Sequence, residues 1–340
     1  MKVFAYKNTE EKVMQSSSGG AFIAICETFE KLYGEEKVVF CGAELQADMV
    51  VRHSLVKKSK ECKRFQGSKY VRSDITEIYK KIIEQLKEGK WVLFSGTPCQ
   101  VYALKQMGFK RGVVLDRLLA IDIICHGVPK PRIWSDYKKW LEQKSRSKLI
   151  QYNFRYKPEG WKAYPGYAEF QNGTKIINTP ETSIYSYLHM AGYSIESGCF
   201  SCPFANEKRQ GDITLGDYWG IETIVPDLPY KQGVSLILVN TLKGERIISQ
   251  IEKSSHMQGT YLIQTRGKAY VSEQENLVQA TKKPKRYEEF WQDYESMSFD
   301  EIIDKYTGYG KWYRVVFGIK KYIRKTPLIE WYRAYKRNRK

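Results

Sequence analysis

The 340-residue sequence lacks an apolar run that could span a membrane. No stretch reaches the roughly 18 to 20 apolar residues that a bilayer-crossing helix needs. The segment Met1 to Tyr6 also lacks the apolar stretch of a secretory signal, and the chain has no internal repeat and no low-complexity linker. We therefore expect a globular cytoplasmic protein, in agreement with an apolar fraction of 42%.

Cysteine is present in a low and odd number. Seven cysteines cannot all pair, and disulfides are uncommon in a reducing compartment. Cys26, within an apolar helix-like run, and Cys41 are interpreted as small buried apolar residues. Four others lie in loops rich in glycine and proline and are candidate metal ligands: Cys99, Cys125, Cys199 and Cys202. The sequence does not decide whether Cys62 replaces one of these four.

Strand and helix patterns alternate along the first part of the chain and predict a mixed α/β fold. Short apolar strands are expected at 2–6 and 37–43, with a helix over 21–33 between them. A second helix is predicted over 74–88, with Asp74 as its N-cap. This strand–helix–strand order is typical of sheet-based domains that bind cofactors at strand ends.

Two apolar strands each end in a loop that opens with a cysteine motif. The strand at 90–94 is followed by Cys99, and the strand at 118–124 is followed by Cys125. Because ligands of open α/β sheets gather at the carboxyl ends of the strands, we expect these two thiols to lie close together.

The rest of the chain mixes helical patterns with a short sheet. Helices are predicted over 131–144 and 181–192, and the alternating residues at 151–178 predict a hairpin. Residues 233–240 are predicted to form a strand, and after about residue 250 the pattern is helical and aromatic. We expect a helical extension to follow the sheet-based part of the chain.

The pair Cys199 and Cys202 has the spacing of two thiolates that bind one metal or cluster, and Pro203 ends the turn. A redox dithiol is the alternative interpretation. Together with Cys99 and Cys125, four thiolates suit zinc and an iron–sulfur cluster equally well by number. Their wide separation along the chain and the cofactor-like loops around them favour the cluster.

Two small-residue loops can each hold a phosphate through backbone N–H groups. The first opens the helix at 21–33 and contains Ser17, Ser18, Gly19 and Gly20. The second follows the strand at 90–94 and contains Ser95, Gly96, Thr97 and Pro98. Each loop alone is equally typical of an ordinary helix cap, and the two together fit a dinucleotide better than either does alone.

His126 directly follows Cys125 and is a candidate catalytic residue that donates a proton to a reduced flavin or substrate. A structural loop histidine is the alternative. Asp212 and Asp217 are candidates to bind a ribityl or substrate hydroxyl, or else to cap turns.

Seven motifs occur in order over about residues 1–250: QSSSGGAF, GSKYVRSD, SGTPCQ, DIICHGVP, CFSCPF, DITLGDYWG and GVSLILVNTLKG. Together they resemble the coenzyme F420 hydrogenase/dehydrogenase beta-subunit family. The resemblance implies an oxidoreductase that carries FAD and a [4Fe-4S] cluster and passes electrons to a soluble acceptor, such as a deazaflavin or a nicotinamide, or to a small-molecule substrate. It implies cluster ligation by the four candidate cysteines. It also places the serine–glycine loop, Lys69, Tyr70 and residues 95–98 around the flavin.

The resemblance also divides the chain into three regions. Residues 1–88 would form a flavin-binding region, 89–250 the family's C-terminal domain with the cluster cysteines, and 251–340 a helical extension. Relatives include bacterial members that resemble polysaccharide-biosynthesis proteins, which suggests a role in that process. Many of them carry a ferredoxin-like segment before the flavin region, and this sequence starts directly at the flavin-region strand. Its electrons are therefore expected to come from a ferredoxin or a partner redox subunit.

The net charge of +18 is concentrated at one end of the chain. Residues 311–340 contain eleven Lys or Arg and one acid, Glu330, and Pro327 is expected to split the segment 309–340 into two short helices. Basic helices rich in Trp and Tyr suit the anionic surface at the inner face of a membrane. Packing of the aromatic residues on the protein body is the alternative, and we expect no nucleic-acid binding.

Two further functions stay open from the sequence alone. A zinc-stabilised transferase could use the basic segment to reach lipid-linked sugars. A non-catalytic protein could instead transfer electrons as a subunit of a complex whose active site lies in a partner.

Overall fold

A computed structural model describes residues 1–162, 166–254, 259–324 and 326. The chain folds into two compact units. The first contains Met1–Lys130 and Ile195–Lys282, and the second contains Pro131–Ser194 and the described residues of Lys283–Lys340. The chain therefore leaves the first unit after Lys130, returns to it at Ile195 and leaves it again after Lys282.

The strands and α-helices are numbered in chain order. The strands are β1 (Lys2–Lys7), β2 (Val38–Leu45), β3 (Val51–Val56), β4 (Trp91–Gly96), β5 (Leu118–Ile123), β6 (Leu149–Asn153), β7 (Tyr167–Phe170), β8 (Lys175–Ile177), β9 (Ile213–Asp217), β10 (Ser235–Val239) and β11 (Tyr261–Thr265). The helices are α1 (Glu10–Met14), α2 (Ala21–Tyr33), α3 (Ile78–Lys87), α4 (Pro98–Lys110), α5 (Pro131–Ser145), α6 (Pro180–Met190), α7 (Ile221–Ile224), α8 (Leu242–Ser254), α9 (Glu275–Val278), α10 (Tyr287–Ser296), α11 (Phe299–Thr307) and α12 (Lys311–Arg324).

The first unit is built on an eight-stranded mixed sheet with the order β11-β1-β10-β9-β5-β4-β2-β3. Strands β9, β5, β4 and β2 are parallel neighbours, and the outer pairs are antiparallel. Because two antiparallel steps separate β1 from β9, β1 runs in the same direction as the parallel group. The loops after β1, β9, β5, β4 and β2 therefore all leave from one end, the carboxyl end of the sheet.

Both faces of this sheet are buried. On β4, Leu93 packs in a cluster with α2 and α8, whereas Val92 and Phe94 pack in a second cluster with α3 and α4. On β5, Leu119 joins the first cluster and Leu118 the second. With both faces covered by helices, the loops at the strand ends are where the sheet can present a site.

The second unit combines the antiparallel sheet β6-β7-β8 with α5, α6, α10, α11 and α12. Aromatic side chains fill its core: the rings of Trp134 and Tyr152 lie 4.9 Å apart, and those of Tyr137 and Tyr185 lie 5.3 Å apart. Within the described ranges, no helix is both long and apolar enough to cross a membrane.

The mixed α/β fold predicted from the sequence is confirmed, with helices in the C-terminal part. The prediction that Asp74 caps a helix is wrong, because α3 begins at Ile78. The Asp74 carboxylate instead accepts a hydrogen bond from the Thr76 N–H, and its own N–H donates to the Val51 carbonyl. The prediction of a helical pattern after residue 250 is wrong for β11, which is a strand paired with β1. Pro327 and the second helix predicted there lie outside the described residues.

Candidate functional site

Two of the candidate cysteines follow neighbouring parallel strands at the carboxyl end of the sheet. Cys99 lies in the first turn of α4, directly after β4, and Cys125 lies two residues after β5. The pairing of Gly96 with Asp122 aligns the ends of these strands. The expected proximity of the two cysteine loops therefore follows from the strand order.

The loop of Cys125 contacts the segment that carries Cys199. The Glu196 N–H donates to the Val128 carbonyl at 3.0 Å, which joins the two segments through their backbones. Gly127 has a φ of 113°, and a Cβ placed there would lie 2.8 Å from Ile195 Cγ2 and 3.3 Å from Cys199 Cβ. A side chain at 127 would hold the two cysteine segments apart, so this glycine allows their close approach.

The four thiols form one electrostatic group. Burial raises the pKa of the Cys125 thiol to about 12, and the charges of the other three thiols add to this rise. Burial also raises the pKa of Cys199, again with contributions from Cys202 and Cys99. Holding these sulfurs as thiolates therefore requires a cationic group among them, which is what a metal ion or an iron–sulfur cluster provides.

Among the described residues, these side chains do not form a site for a single metal ion. In the part of the chain that the structure describes, no three His, Cys, Asp or Glu side chains are grouped closely enough to hold a single metal ion. The remaining cysteines lie elsewhere: Cys26, Cys41 and Cys62 are buried, and Cys26 and Cys62 belong to one core cluster with other residues of α2. Cys62 is thus not one of the four grouped thiols.

The serine–glycine loop reaches the same end of the sheet after β1 and docks on the start of β10. The Ser18 hydroxyl donates to the Val234 carbonyl at 2.8 Å, and the Gly19 N–H donates to the Ser235 hydroxyl at 2.9 Å. Gly20 follows with φ of 82° and serves as the N-cap of α2. The loop is therefore fixed by hydrogen bonds to the start of β10, and its serines remain half-buried.

Replacing Gly19 by alanine is expected to destabilise the protein by about 1–3 kcal/mol, because overpacking against rigid backbone cannot relax. The new Cβ would lie 2.1 Å from the Tyr6 carbonyl oxygen and 2.5 Å from the Ser235 nitrogen. Urea unfolding measures the effect. Gly198→Ala is the matched control, because no atom lies within 4 Å of its Cβ position. Equal stabilities of the two variants would contradict the tight docking of the loop.

A segment at 66–74 connects the serine–glycine loop with the cysteine loops. At one end the Ser68 N–H donates to the Ser17 hydroxyl at 2.7 Å. Further along, the Arg72 N–H donates to the Pro129 carbonyl at 3.3 Å, in the loop that follows Cys125. Loops that are distant in sequence are thereby joined along one end of the sheet.

The loop after β4 is also tied to this segment. The Gln100 side chain accepts from the Thr97 N–H at 2.9 Å and donates to the Ser73 hydroxyl at 2.9 Å. The Ser95 carbonyl lies 3.0 Å from His53 Nε2, and burial lowers the pKa of His53 to about 4. A neutral His53 therefore fixes the end of β4 through this hydrogen bond. Residues 95–97 stay half-buried.

Lys69 and Tyr70 lie half-buried in the same segment. The Lys69 ammonium donates to the Gln66 carbonyl at 2.7 Å. Burial lowers the pKa of Lys69 to about 7, against the opposing effect of the Glu44 carboxylate. Lys69 can therefore gain or lose its charge near neutral pH, and an anion bound beside it would favour the protonated form.

The ring and the carbonyl of His126 both form hydrogen bonds with other parts of the chain. Its Nδ1 lies 3.0 Å from the Asn276 amide oxygen, and its carbonyl accepts a hydrogen bond from the Thr281 hydroxyl. These bonds fit a residue that shapes the Cys125 loop. The catalytic role of His126 stays a prediction. Asp212 has structural partners, since its carboxylate accepts from the Ala120 N–H and the Thr241 hydroxyl.

The sequence did not indicate the role of Arg209, whose side chain is only 1% exposed. Its guanidinium donates to the Ile123 carbonyl at 3.0 Å, just before Cys125, and to the Phe204 carbonyl at 3.1 Å, just after Cys202. One side chain thus ties together the backbones that lead to two candidate ligands.

Asp122 is the acidic partner of Arg209, at 3.4 Å, and is fully buried. Its carboxylate also accepts from the backbone N–H groups of Gln210 and Gly211, at 2.9 and 3.1 Å, and from the Thr214 hydroxyl. A charged residue inside an apolar strand is a signal of a buried pair, so Asp122 was detectable from the sequence. Arg209, in a polar loop, carries no such signal.

These observations define a mixed α/β protein with four candidate cysteines near the carboxyl end of its sheet. Residues 89–262, just over half of the chain, match the family described as the C terminus of the coenzyme F420 hydrogenase/dehydrogenase beta subunit. The chain belongs to this family, whose description is that of a redox protein. A comparison with curated protein sequences finds no match.

The fold is similar to that of a chain in a solved structure of the F420-reducing [NiFe] hydrogenase complex from Methanosarcina barkeri. The similarity has a TM-score of 0.51 at 13% sequence identity, and it covers 77% of this chain and 81% of that chain. At this identity the match supports the shared fold alone.

Proposed function

We propose that the protein is an oxidoreductase that uses a [4Fe-4S] cluster and FAD to pass electrons to a soluble acceptor or small substrate. The observation that carries the proposal is the convergence at the carboxyl end of the sheet. Four thiols interact electrostatically there, and the segment 66–74 links the Cys125 loop to the serine–glycine loop. Family membership supports the redox class.

Each group of residues has a distinct part in this proposal. Cys99, Cys125, Cys199 and Cys202 would hold the cluster, and their donor chemistry fits it. Ser17 to Gly20, Lys69, Tyr70 and residues 95–98 would bind the flavin, to which they offer hydroxyls and one titratable cation. A flavin exchanges two electrons as hydride or one at a time, and a cluster carries single electrons. His126 would supply a proton beside this site.

A partner for electron entry is favoured by the surface position of the cysteines. Cys99 is exposed, and the other three candidate ligands are half-buried. The cluster side of the unit is therefore open to a reduced ferredoxin or a partner redox subunit. The seven free thiols fit a reducing, cytoplasmic setting. A sugar or related metabolite of surface-polysaccharide synthesis is the substrate class that we propose, on the resemblance to bacterial relatives.

The test is anaerobic mixing of the purified protein with reduced ferredoxin, followed by absorbance of the flavin and then by addition of a nicotinamide or deazaflavin acceptor. We expect rapid bleaching of the flavin in the native protein and a loss of at least tenfold in its rate in Cys199→Ala. Reoxidation by a small acceptor supports the enzyme. If the flavin is bleached, no small acceptor reoxidises it and a second protein co-purifies, the result favours the electron-transfer subunit. Colourless protein with bound zinc favours the transferase.

Lys69 gives this proposal a pH dependence. Since its pKa is lowered to about 7, Lys69 is charged below neutral pH and neutral above it. If its ammonium binds the anionic flavin cofactor, FAD affinity should fall as pH rises between about 6 and 8, by up to about tenfold per unit above the pKa. Fluorescence titration of FAD into the cofactor-free protein measures this. The dependence of FAD affinity on pH should disappear in Lys69→Met and persist in Lys63→Met, a control at an exposed lysine. An unchanged slope in Lys69→Met would contradict the assignment.

A further inference from the structure

Helix α12 presents two different faces in the second unit. One face packs on the unit: the Tyr313 hydroxyl lies 2.6 Å from the Ser183 hydroxyl, and the Lys321 ammonium donates to the Asn178 carbonyl at 3.0 Å. The helix is therefore anchored by one side along the described part of the unit.

The other face exposes a continuous apolar stripe. Trp312, Val315, Ile319 and Tyr322 are 76%, 50%, 54% and 73% exposed. Their spacing of three, four and three residues places them along one side of the helix, over roughly 15 Å. This arrangement differs from the alternative in which all the aromatic residues pack on the protein body, because only the opposite face of the helix packs there.

The composition of the stripe and its surroundings fits a lipid surface. An aromatic residue stands at each end and aliphatic residues lie between, and amphipathic Trp and Tyr rings favour the headgroup region. The helix contains five basic residues and no acidic one. Residues 311–340 as a whole carry eleven basic residues against one acid. Charge complementarity therefore selects an anionic surface.

We propose that α12 lies flat on an anionic membrane surface, with the stripe of Trp312, Val315, Ile319 and Tyr322 inserted among the headgroups. A membrane is favoured over a protein groove because the stripe is a single row of side chains. Such a row can enter a fluid interface without a matching concave partner. The exposed Lys320, next to Ile319 in the chain, then lies at the level of the anionic headgroups. This inference is independent of the proposed redox chemistry.

The test is flotation of the full-length protein with vesicles of phosphatidylcholine alone and of phosphatidylcholine mixed with phosphatidylglycerol. We expect binding to the mixed vesicles only, and weaker binding at high salt. Trp312→Glu and Ile319→Glu should each weaken it at least tenfold. Ile150→Glu is the matched control, since Ile150 is 50% exposed on β6 and should bind like the native protein. Circular dichroism verifies that all three variants fold.

Three outcomes would overturn the proposal. One is the absence of binding to the mixed vesicles. Another is equal binding by Ile319→Glu and Ile150→Glu, which would assign the membrane affinity to basic residues outside the stripe. The third is a native dimer, seen by sedimentation, that Ile319→Glu dissociates while vesicles do not bind. That result would identify a second copy of the chain as the occupant of the stripe.

Discussion

Replacing Cys99 by alanine is expected to remove nearly all bound iron, from about four irons per chain to well under one, because a four-iron cluster needs a thiolate on each iron. Cys99 is exposed, so the cost to the fold should stay within about 0.5 kcal/mol in the iron-free protein. Loss of iron would therefore report coordination and not unfolding. Iron assay and urea unfolding of the same anaerobic preparation measure the two quantities.

Cys41→Ala is the matched control for Cys99→Ala. Cys41 is fully buried in the cluster formed with α3 and α4, and truncating it should destabilise the fold by about 1–2 kcal/mol. Its iron content should stay at the native level. Cys99→Ala should thus lose iron but little stability, whereas Cys41→Ala should lose stability but no iron. Native iron content in Cys99→Ala would remove Cys99 from the ligand set.

Replacing Arg209 by methionine is expected to lower the free energy of unfolding by about 3–5 kcal/mol, because it leaves the Asp122 carboxylate buried without its ion-pair partner. It should also reduce iron retention, since Arg209 holds the backbones beside Cys125 and Cys202. Adding Asp122→Asn to the same chain should recover part of the lost stability, because the orphaned charge is then removed.

Lys268→Met provides the control for Arg209→Met. Lys268 forms an exposed ion pair with Glu207, and removing such a pair should change stability very little. Urea unfolding of the four proteins, with an iron assay on each, measures the effects. A loss in Arg209→Met no larger than that in Lys268→Met would show that the buried pair does not organise the site.

The proximity of Cys99 and Cys125 could be predicted because it depends on two local signals. Each residue follows an apolar strand, and adjacent parallel strands end together. The position of Cys199 could not be predicted in this way, because the chain reaches it only after the excursion of 131–194 into the second unit. Gly127 and the bridge from Glu196 to Val128 bring it back, and neither has a sequence signature.

Two other features were mispredicted from the sequence, for different physical reasons. Strand β11 has no fully buried side chain, and it forms because it pairs with β1, which is a long-range contact. Asp74 carries the signal of a helix cap, but its bonds to Thr76 and Val51 place it in the loop beside β3. Local propensity is outweighed in both cases by contacts with another part of the sheet.

The most direct test of the account is the absorption spectrum of the anaerobically purified protein, with iron, sulfide and FAD assays on the same sample. The account predicts flavin bands with a broad shoulder near roughly 400 nm, and about four irons and one FAD per chain. Colourless protein with one zinc per chain would contradict the redox function. Flavin without iron would keep the oxidoreductase and contradict the assignment of the four cysteines to a cluster.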